Sequence, residues 1–166
     1  ERIITHISNL RPVKRAHDVI DVFYKIQKEV PSKLLLVGEG PDRELIECQV
    51  KDLGILDRVL FLGNSNEVSK LLYYSDLFLL PSETESFGLA ALEAMAAKTP
   101  VISTNSGGLP EVNEHGVTGF LSNIGDTDDM AKNGIYILEN SERLKKFKVQ
   151  AFEQAKKFSL QNILPS

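Results

Sequence analysis

Tryptophan is absent from this 166-residue chain, and cysteine occurs once. A single thiol excludes an internal disulfide, so the fold must rest on an apolar core, and a reducing cytoplasm is the natural compartment. Cys48 sits in a segment of helical period with no histidine or second cysteine near it in sequence, which reads as an idle or buried thiol rather than a nucleophile. No apolar run approaches the ~20 residues that a membrane helix needs, and Glu1-Arg2-Ile3-Ile4 lacks the organisation of a secretory signal. A cationic surplus is missing too. With 19 basic and 23 acidic residues the formal net charge is -4, which excludes the kind of surface that draws a chain to nucleic acid or anionic lipid. Any phosphate it binds must be held locally. Two common phosphate signatures are also lacking. In Gly38-Glu39-Gly40-Pro41-Asp42-Arg43 an arginine stands where a dinucleotide fingerprint needs its third glycine, and no GxxxxGK[S/T] loop occurs anywhere; NAD binding is disfavoured on that ground.

What is present is a chain with 42% hydrophobic residues, enough to bury one substantial core, and one domain over residues 1–166 is the expectation. Short β-rich apolar runs at 3–7, 33–37, 59–62, 77–80, 101–103 and 119–121 alternate with segments of helical period at 16–29, 42–53, 67–74, 87–97, 127–139 and 141–157. That alternation predicts an α/β fold, a Rossmann-like open parallel sheet of about six strands with helices on both faces. Leu34-Leu35-Leu36-Val37 is apolar without alternation, as expected of a strand covered on both faces, so the sheet is expected to be interior. Ligands of such sheets sit beyond the carboxyl ends of the strands. The loops to search are therefore 8–15, 38–41, 63–66, 81–86 and 104–110.

The loop Pro81-Ser82-Glu83-Thr84-Glu85-Ser86-Phe87-Gly88-Leu89 leads from a buried strand into a helix, with Ser86 placed as N-cap. Free amides and the positive end of the helix dipole make this an anion site. Gly88 lets a ligand approach the backbone. Glu93 lies two turns on among Ala90, Ala91, Ala94, Ala96 and Ala97. A carboxylate there is costly unless something takes its charge or it reaches an edge, and sugar hydroxyls are suitable donors to it. The bland alternative, Glu85 as a loop-surface charge and Glu93 as an exposed helix charge, stays open on chemistry alone. Asn9-Leu10-Arg11-Pro12-Val13-Lys14-Arg15 concentrates three cations that could neutralise a diphosphate facing that helix, or could be a solvated loop. The glycines of Gly38-Glu39-Gly40 and of Ser106-Gly107-Gly108-Leu109-Pro110-Glu111 could bring amides to a ligand or make turns. Asp126-Thr127-Asp128 reads as helix capping rather than as a metal site, and no metal is expected. His6, within a strand, reads as packed and hydrogen-bonded; His17 and His115 read as surface positions.

Glu85-Ser86-Phe87-Gly88 with Glu93 resembles the E-x7-E element of glycosyltransferase family 4. The order in which Val37-Gly38-Glu39-Gly40-Pro41, Val59-Leu60-Phe61-Leu62-Gly63, that element and Gly107-Gly108-Leu109-Pro110-Glu111 follow one another is similar to the same family, over nearly the whole chain. The resemblance implies the C-terminal, donor-binding half of a two-domain GT-B enzyme whose N-terminal acceptor domain lies outside this sequence. It implies a UDP-sugar donor as substrate, no cofactor, and the other domain of the same protein as partner, without nucleic acid or membrane insertion. By the resemblance Glu93 binds the ribose, Glu85 meets a sugar hydroxyl, and Lys14 binds the diphosphate with the backbone of Phe87, Gly88 and Leu89 close by. Gly38 lines the donor, and the 63–66 loop, Asn64 included, meets the base. Many members carry an arginine five residues before the lysine. Here Asn9 holds that place, and Arg11 is the residue that could compensate. Within the family, the 8–15 and 58–63 segments look most like the branch that transfers N-acetylglucosamine from UDP to L-malate in bacillithiol biosynthesis. A nucleotide-sugar epimerase of the same fold and a non-catalytic nucleotide-binding module are the alternatives.

Overall fold

The structure, a computed structural model, describes residues 1–85 and 87–162, with side chains through 158. Six strands form one sheet: β1 (Arg2–Ile7), β2 (Ser32–Val37), β3 (Val59–Gly63), β4 (Leu77–Leu80), β5 (Val101–Thr104) and β6 (Gly119–Ser122). Every pairing is parallel and the order across the sheet is β3-β2-β1-β4-β5-β6. The helices are α1 (Ala16–Glu29), α2 (Arg43–Asp52), α3 (Val68–Tyr73), α4 (Leu89–Ala96), α5 (Leu109–Val112), α6 (Thr127–Leu138) and α7 (Ser141–Asn162). This is the α/β, Rossmann-like sheet expected from the alternation of periods.

Periodicity decides where each helix goes. In α1, Val19, Ile20, Val22, Phe23 and Ile26 fall on one stripe and are all buried to within 1%, the 3.6-residue pattern of a core-facing helix. They pack with α2, α6 and the first turns of α7 over one side of the sheet, against Ile4, Leu34, Leu36, Leu77, Leu79 and Ile102. On the other side Phe78, Leu80 and Val101 meet Leu72 of α3 and Ala91, Ala94 and Met95 of α4, with Ala151 and Ala155 of α7. Alanines let α4 lie close to the strands, and fully burying Phe78 alone is worth about 1.5–3 kcal/mol.

Three sequence expectations change. The sheet is interior at β4 and β5, buried at every residue, but not at β3, where Leu60 is 47% and Leu62 38% exposed. The reason is that α3 is only six residues long and packs on α4, so no helix covers the second face of the edge strand. Helix α4 starts at Leu89, not 87, because Gly88 takes the left-handed conformation (φ 65°) and caps it; a side chain is disfavoured there. The expected cap at Ser86 lies outside the described residues. Finally, 104–110 is not all loop: α5 begins at Leu109, with Pro110 in its first turn, a place proline tolerates.

Candidate functional site

In the order β3-β2-β1-β4-β5-β6 the direction of the connections reverses between β1 and β4. The chain leaves β1 for α1 on one side of the sheet and leaves β4 for α4 on the other. The two loops therefore diverge, and a crevice opens above the carboxyl ends of these neighbouring strands, where ligands of open α/β sheets bind. The described loop residues that border it are 8–15, 81–85 and 87–88.

The two loops are joined across the crevice. Lys14 Nζ donates to Glu85 Oε2 at 2.8 Å, with side chains 26% and 10% exposed. Beside it, Arg15 Nη1 reaches Glu83 Oε2 at 3.1 Å, and the Glu83 amide donates to the Val13 carbonyl at 2.9 Å. Lys14 ends a 3-10 turn, Pro12–Lys14, whose proline is preset for that bend. Partly exposed pairs of this kind contribute on the order of 1 kcal/mol. That suffices to hold two side chains in register, and a doubly charged phosphate group can displace it.

Glu85 is held from beneath by its own backbone. Its carbonyl accepts from the Gly108 amide at 2.8 Å, and a Cβ at Gly107 (φ 49°) would lie 2.1 Å from the same oxygen. Only glycine fits there, since the position combines left-handed backbone with contact against main chain. Thr104 and Ser106 hydroxyls likewise donate to the Ser82 carbonyl at 2.7 and 3.2 Å. Residues 104–108 thus form a bracket under the 81–85 loop. A Gly107→Ala variant is expected to lose about 1–3 kcal/mol of stability, read as a lower urea midpoint, because the loop must move to admit the methyl group.

The other loop rests on a buried histidine. His6 is fully buried; its Nδ1–H donates to the Leu79 carbonyl at 2.8 Å, its Nε2 accepts from the Ser8 hydroxyl at 2.9 Å, and Ser8 Oγ accepts from the Leu10 amide at 3.2 Å. Burial, opposed by the Leu79 bond and supported by the nearby Lys14 charge, lowers the His6 pKa from 6.5 to about 4. The neutral ring that the relay requires is therefore the form present in the folded chain. Between pH 4 and 6.5 the unfolded chain binds the extra proton, so the stability from His6 is complete above pH 6.5 and falls as the pH drops, by roughly 3 kcal/mol at the lower limit. Urea unfolding at pH 7.5 and 5 measures this. A His6→Gln variant should show a shallower loss between the two values; an equal loss contradicts the assignment.

The remaining expected residues fall on the same edge with different surroundings. Glu93 is exposed on α4, one turn after Leu89, so the two share a face at i,i+4. Phe87 and Leu89 are 75% and 64% exposed, large apolar side chains beside a helix N-terminus. No described residue accepts from the amides of Phe87, Gly88 or Leu89. Asn9 and Arg11 are exposed, and neither side chain has a partner among the described residues. Asn64 is exposed after the edge strand β3, two strands from Lys14, and among the described residues no hydrogen bond joins its side chain to the crevice. Gly38 is buried: its amide donates to the Gly63 carbonyl at 2.8 Å, and a Cβ would lie 1.7 Å from the Ser8 carbonyl. It fits the second loop tightly under the first, and its amide is spent within the protein. Gly40 packs on the Asn9 carbonyl in the same way.

The Asp126 cap and the two surface histidines lie where the sequence places them. Asp126 caps α6, accepting from the Asp129 amide at 3.1 Å, and Asp128 pairs with Lys25. His17 and His115 are exposed, and His115 also accepts from the Leu121 amide at 3.0 Å. Cys48 is exposed. Among the described residues no helix is long and apolar enough to cross a membrane, and no group of three or more His, Cys, Asp or Glu could hold a metal. A cavity of about 1010 Å³ lies elsewhere, between α1, α6 and α7, with Phe120, Tyr136 and Phe147 in its walls and Lys132 and Lys146 on its rim. It is a surface hollow under long side chains and contains none of the crevice residues. The charge pairing, free amides and shaped glycines all lie at the crevice, which is therefore the candidate site.

Sequence reasoning missed the Arg15–Glu83 pair and the bracket under Glu85. A signal for the first was available: Lys14-Arg15 in one loop and Glu83-x-Glu85 in the other present matching pairs of opposite charge. Nothing in sequence announces the second, since the 104–108 contacts are made with carbonyls.

Comparisons with known proteins identify the family. N-acetyl-alpha-D-glucosaminyl L-malate synthase of Bacillus anthracis is 54% identical over 142 residues, 86% of this chain and 37% of that protein. A 2-deoxystreptamine N-acetyl-D-glucosaminyltransferase of Niallia circulans is 36% identical over 125 residues, 71% of this chain and 32% of that one. The chain thus spans about a third of the length of the curated relatives it matches. Among solved structures, a TarM variant of S. aureus in complex with fondaparinux, alpha-GlcNAc-glycerol and UDP superposes with a TM-score of 0.92 at 28% identity, over 99% of this chain and 34% of that one. Anabaena HepE with UDP and glucose gives 0.85 at 28% identity, over 93% and 43%. The family described as glycosyl transferases group 1 matches residues 1–154. Sequence and fold converge, and the chain belongs to the glycosyl transferases group 1 family.

Proposed function

We propose that this chain is the donor-binding domain of a retaining glycosyltransferase that transfers N-acetylglucosamine from UDP to L-malate in the cytoplasm, and that a second domain of the same protein brings the acceptor. The observation that carries the reading is the Lys14–Glu85 pair across the β1/β4 crevice, beside the free amides at the start of α4. The 54% identity to a malate-directed synthase supports the finer choice of sugar and acceptor.

In this reading the donor diphosphate takes Lys14 from Glu85 and accepts from the amides of Phe87, Gly88 and Leu89. Charge-assisted bonds from a lysine and a helix N-terminus stabilise negative charge as it builds on the departing UDP. The freed Glu85 carboxylate accepts from a sugar hydroxyl, and the exposed Glu93 carboxylate accepts from the ribose. Arg11, with no partner of its own, is free to reach the diphosphate from the position opened by Asn9. Asn64 approaches the base, and Gly38 acts indirectly by shaping the loop that carries Asn9. The bond from the anomeric carbon to the diphosphate oxygen breaks, and the acceptor oxygen bonds to that carbon on the same face while its proton leaves with the UDP. The proposal assigns no step to a metal.

Product analysis with the full-length protein, labelled UDP-N-acetylglucosamine and L-malate tests it. The expected product is the α-glycoside with release of UDP. An isomerised donor would establish the epimerase alternative instead, and binding of the donor without turnover a non-catalytic module.

A further inference from the structure

Arg15 shares with Leu10 a left-handed backbone in the crevice loop, and neither the family resemblance nor the relatives' names give Arg15 a task. It is a non-glycine residue in the left-handed region, at φ 51° and ψ 49°, a conformation that is strained for an L-residue. It sits at the joint between the 3-10 turn that ends on Lys14 and the first turn of α1. Strain of this kind persists only where the surroundings over-determine it, and here they do. The guanidinium Nε donates to Asp18 Oδ2 at 2.6 Å and Nη1 to Glu83 Oε2 at 3.1 Å. Asp18 is 8% exposed and lies in the first turn of α1, so its charge is fixed in place. Arg15 Nη2 also comes within 3.4 Å of where a Cβ on Gly125 would be, so the loop after β6 closes on the same side chain.

One guanidinium therefore ties α1 to the 81–85 loop, with the loop after β6 lying beside it. The backbone turn it enforces sets the direction in which the preceding residue, Lys14, leaves the chain. A planar fork with several donors suits this task, and a lysine cannot reproduce both bonds. We infer that Arg15 is a positioning residue: with Asp18 and Glu83 it fixes the 3-10 turn so that the Lys14 ammonium is aimed at the donor diphosphate. The inference rests on the donor-binding reading above. It assigns Arg15 no contact with substrate.

The test is calorimetric titration of the full-length protein with UDP and with uridine, for wild type, Arg15→Ala, Arg15→Lys, Lys14→Ala and the double variant Lys14→Ala/Arg15→Ala. Losing two charge-assisted bonds that hold a ligand-bearing loop should weaken UDP by about tenfold. Uridine, which lacks the diphosphate, should bind Arg15→Ala as it binds wild type, a result that a general loss of structure would not give. Arg15→Lys should recover only part of the loss. In the Lys14→Ala background Arg15→Ala should have no further effect on UDP, because the residue it aims is gone. Unchanged UDP affinity in Arg15→Ala overturns the inference, as does an equal loss for UDP and uridine, or a full additional loss in the double variant. If wild type binds neither UDP nor uridine, the donor reading fails and this inference falls with it; wild-type binding with an indifferent Arg15 removes only the inference.

Discussion

Glu85→Gln in the full-length enzyme is expected to slow sugar transfer by about a hundredfold to a thousandfold, while its affinity for UDP rises severalfold. Opposite movements of turnover and product affinity are unusual for one substitution, and the geometry dictates them. Glu85 Oε2 lies 2.8 Å from Lys14 Nζ, so a diphosphate must compete with it for the same ammonium. Glutamine is isosteric but neutral, so it releases Lys14, and relief of a pair worth on the order of 1 kcal/mol corresponds to roughly a fivefold gain in affinity. The carboxylate that should receive the sugar hydroxyl is lost at the same time. UDP has no sugar and does not register that loss, whereas the transferred group does. UDP titration and steady-state turnover measure the two effects separately. Weaker UDP binding in Glu85→Gln would show that the carboxylate assists the diphosphate site, contrary to its competing for Lys14.

Lys14→Ala should produce the largest loss. On the proposed assignment it removes the ammonium that faces the diphosphate and leaves Glu85, only 10% exposed, as an unpaired negative charge facing an anionic ligand. The first effect costs about 2–3 kcal/mol in charge-assisted bonding. The second adds repulsion and is absent in a Lys14→Ala/Glu85→Gln double variant. UDP affinity should therefore fall by about a hundredfold in Lys14→Ala, with turnover reduced further, and the double variant should recover part of the UDP affinity but none of the turnover. Additive losses in the two variants would mean that the pair does not act as a unit.

The parts of this account that were legible in the sequence are those that depend on period and composition. Six strands and the long helices follow from apolar spacing, and Lys14, Glu85, Gly88 and Glu93 fall on the ligand edge because that edge is defined by strand ends. Helix starts and loop supports are less visible, because they depend on single backbone conformations. Gly88 begins α4 two residues later than the apolar pattern suggests, since a left-handed residue ends the loop there. Gly38, which resembles a ligand-approach glycine, instead packs under Ser8; in sequence, a glycine that admits a ligand and one that admits another loop look alike. The left-handed turn at Arg15 is equally invisible, because arginine carries no propensity for it. The exposure of Leu60 and Leu62 follows from the shortness of α3, which apolar runs in β3 do not reveal.

The central claim is that the donor binds at the β1/β4 crevice. Amide NMR of the isotopically labelled chain titrated with UDP tests it most directly. Shifts should concentrate in residues 8–15, 85–93 and 104–108, with the Gly88 and Leu89 amides moving most as they gain an acceptor. The account is contradicted if the shifts gather around Phe120, Tyr136 and Phe147 in the hollow between α1, α6 and α7, or if saturating UDP leaves the Lys14 and Glu85 loops unchanged.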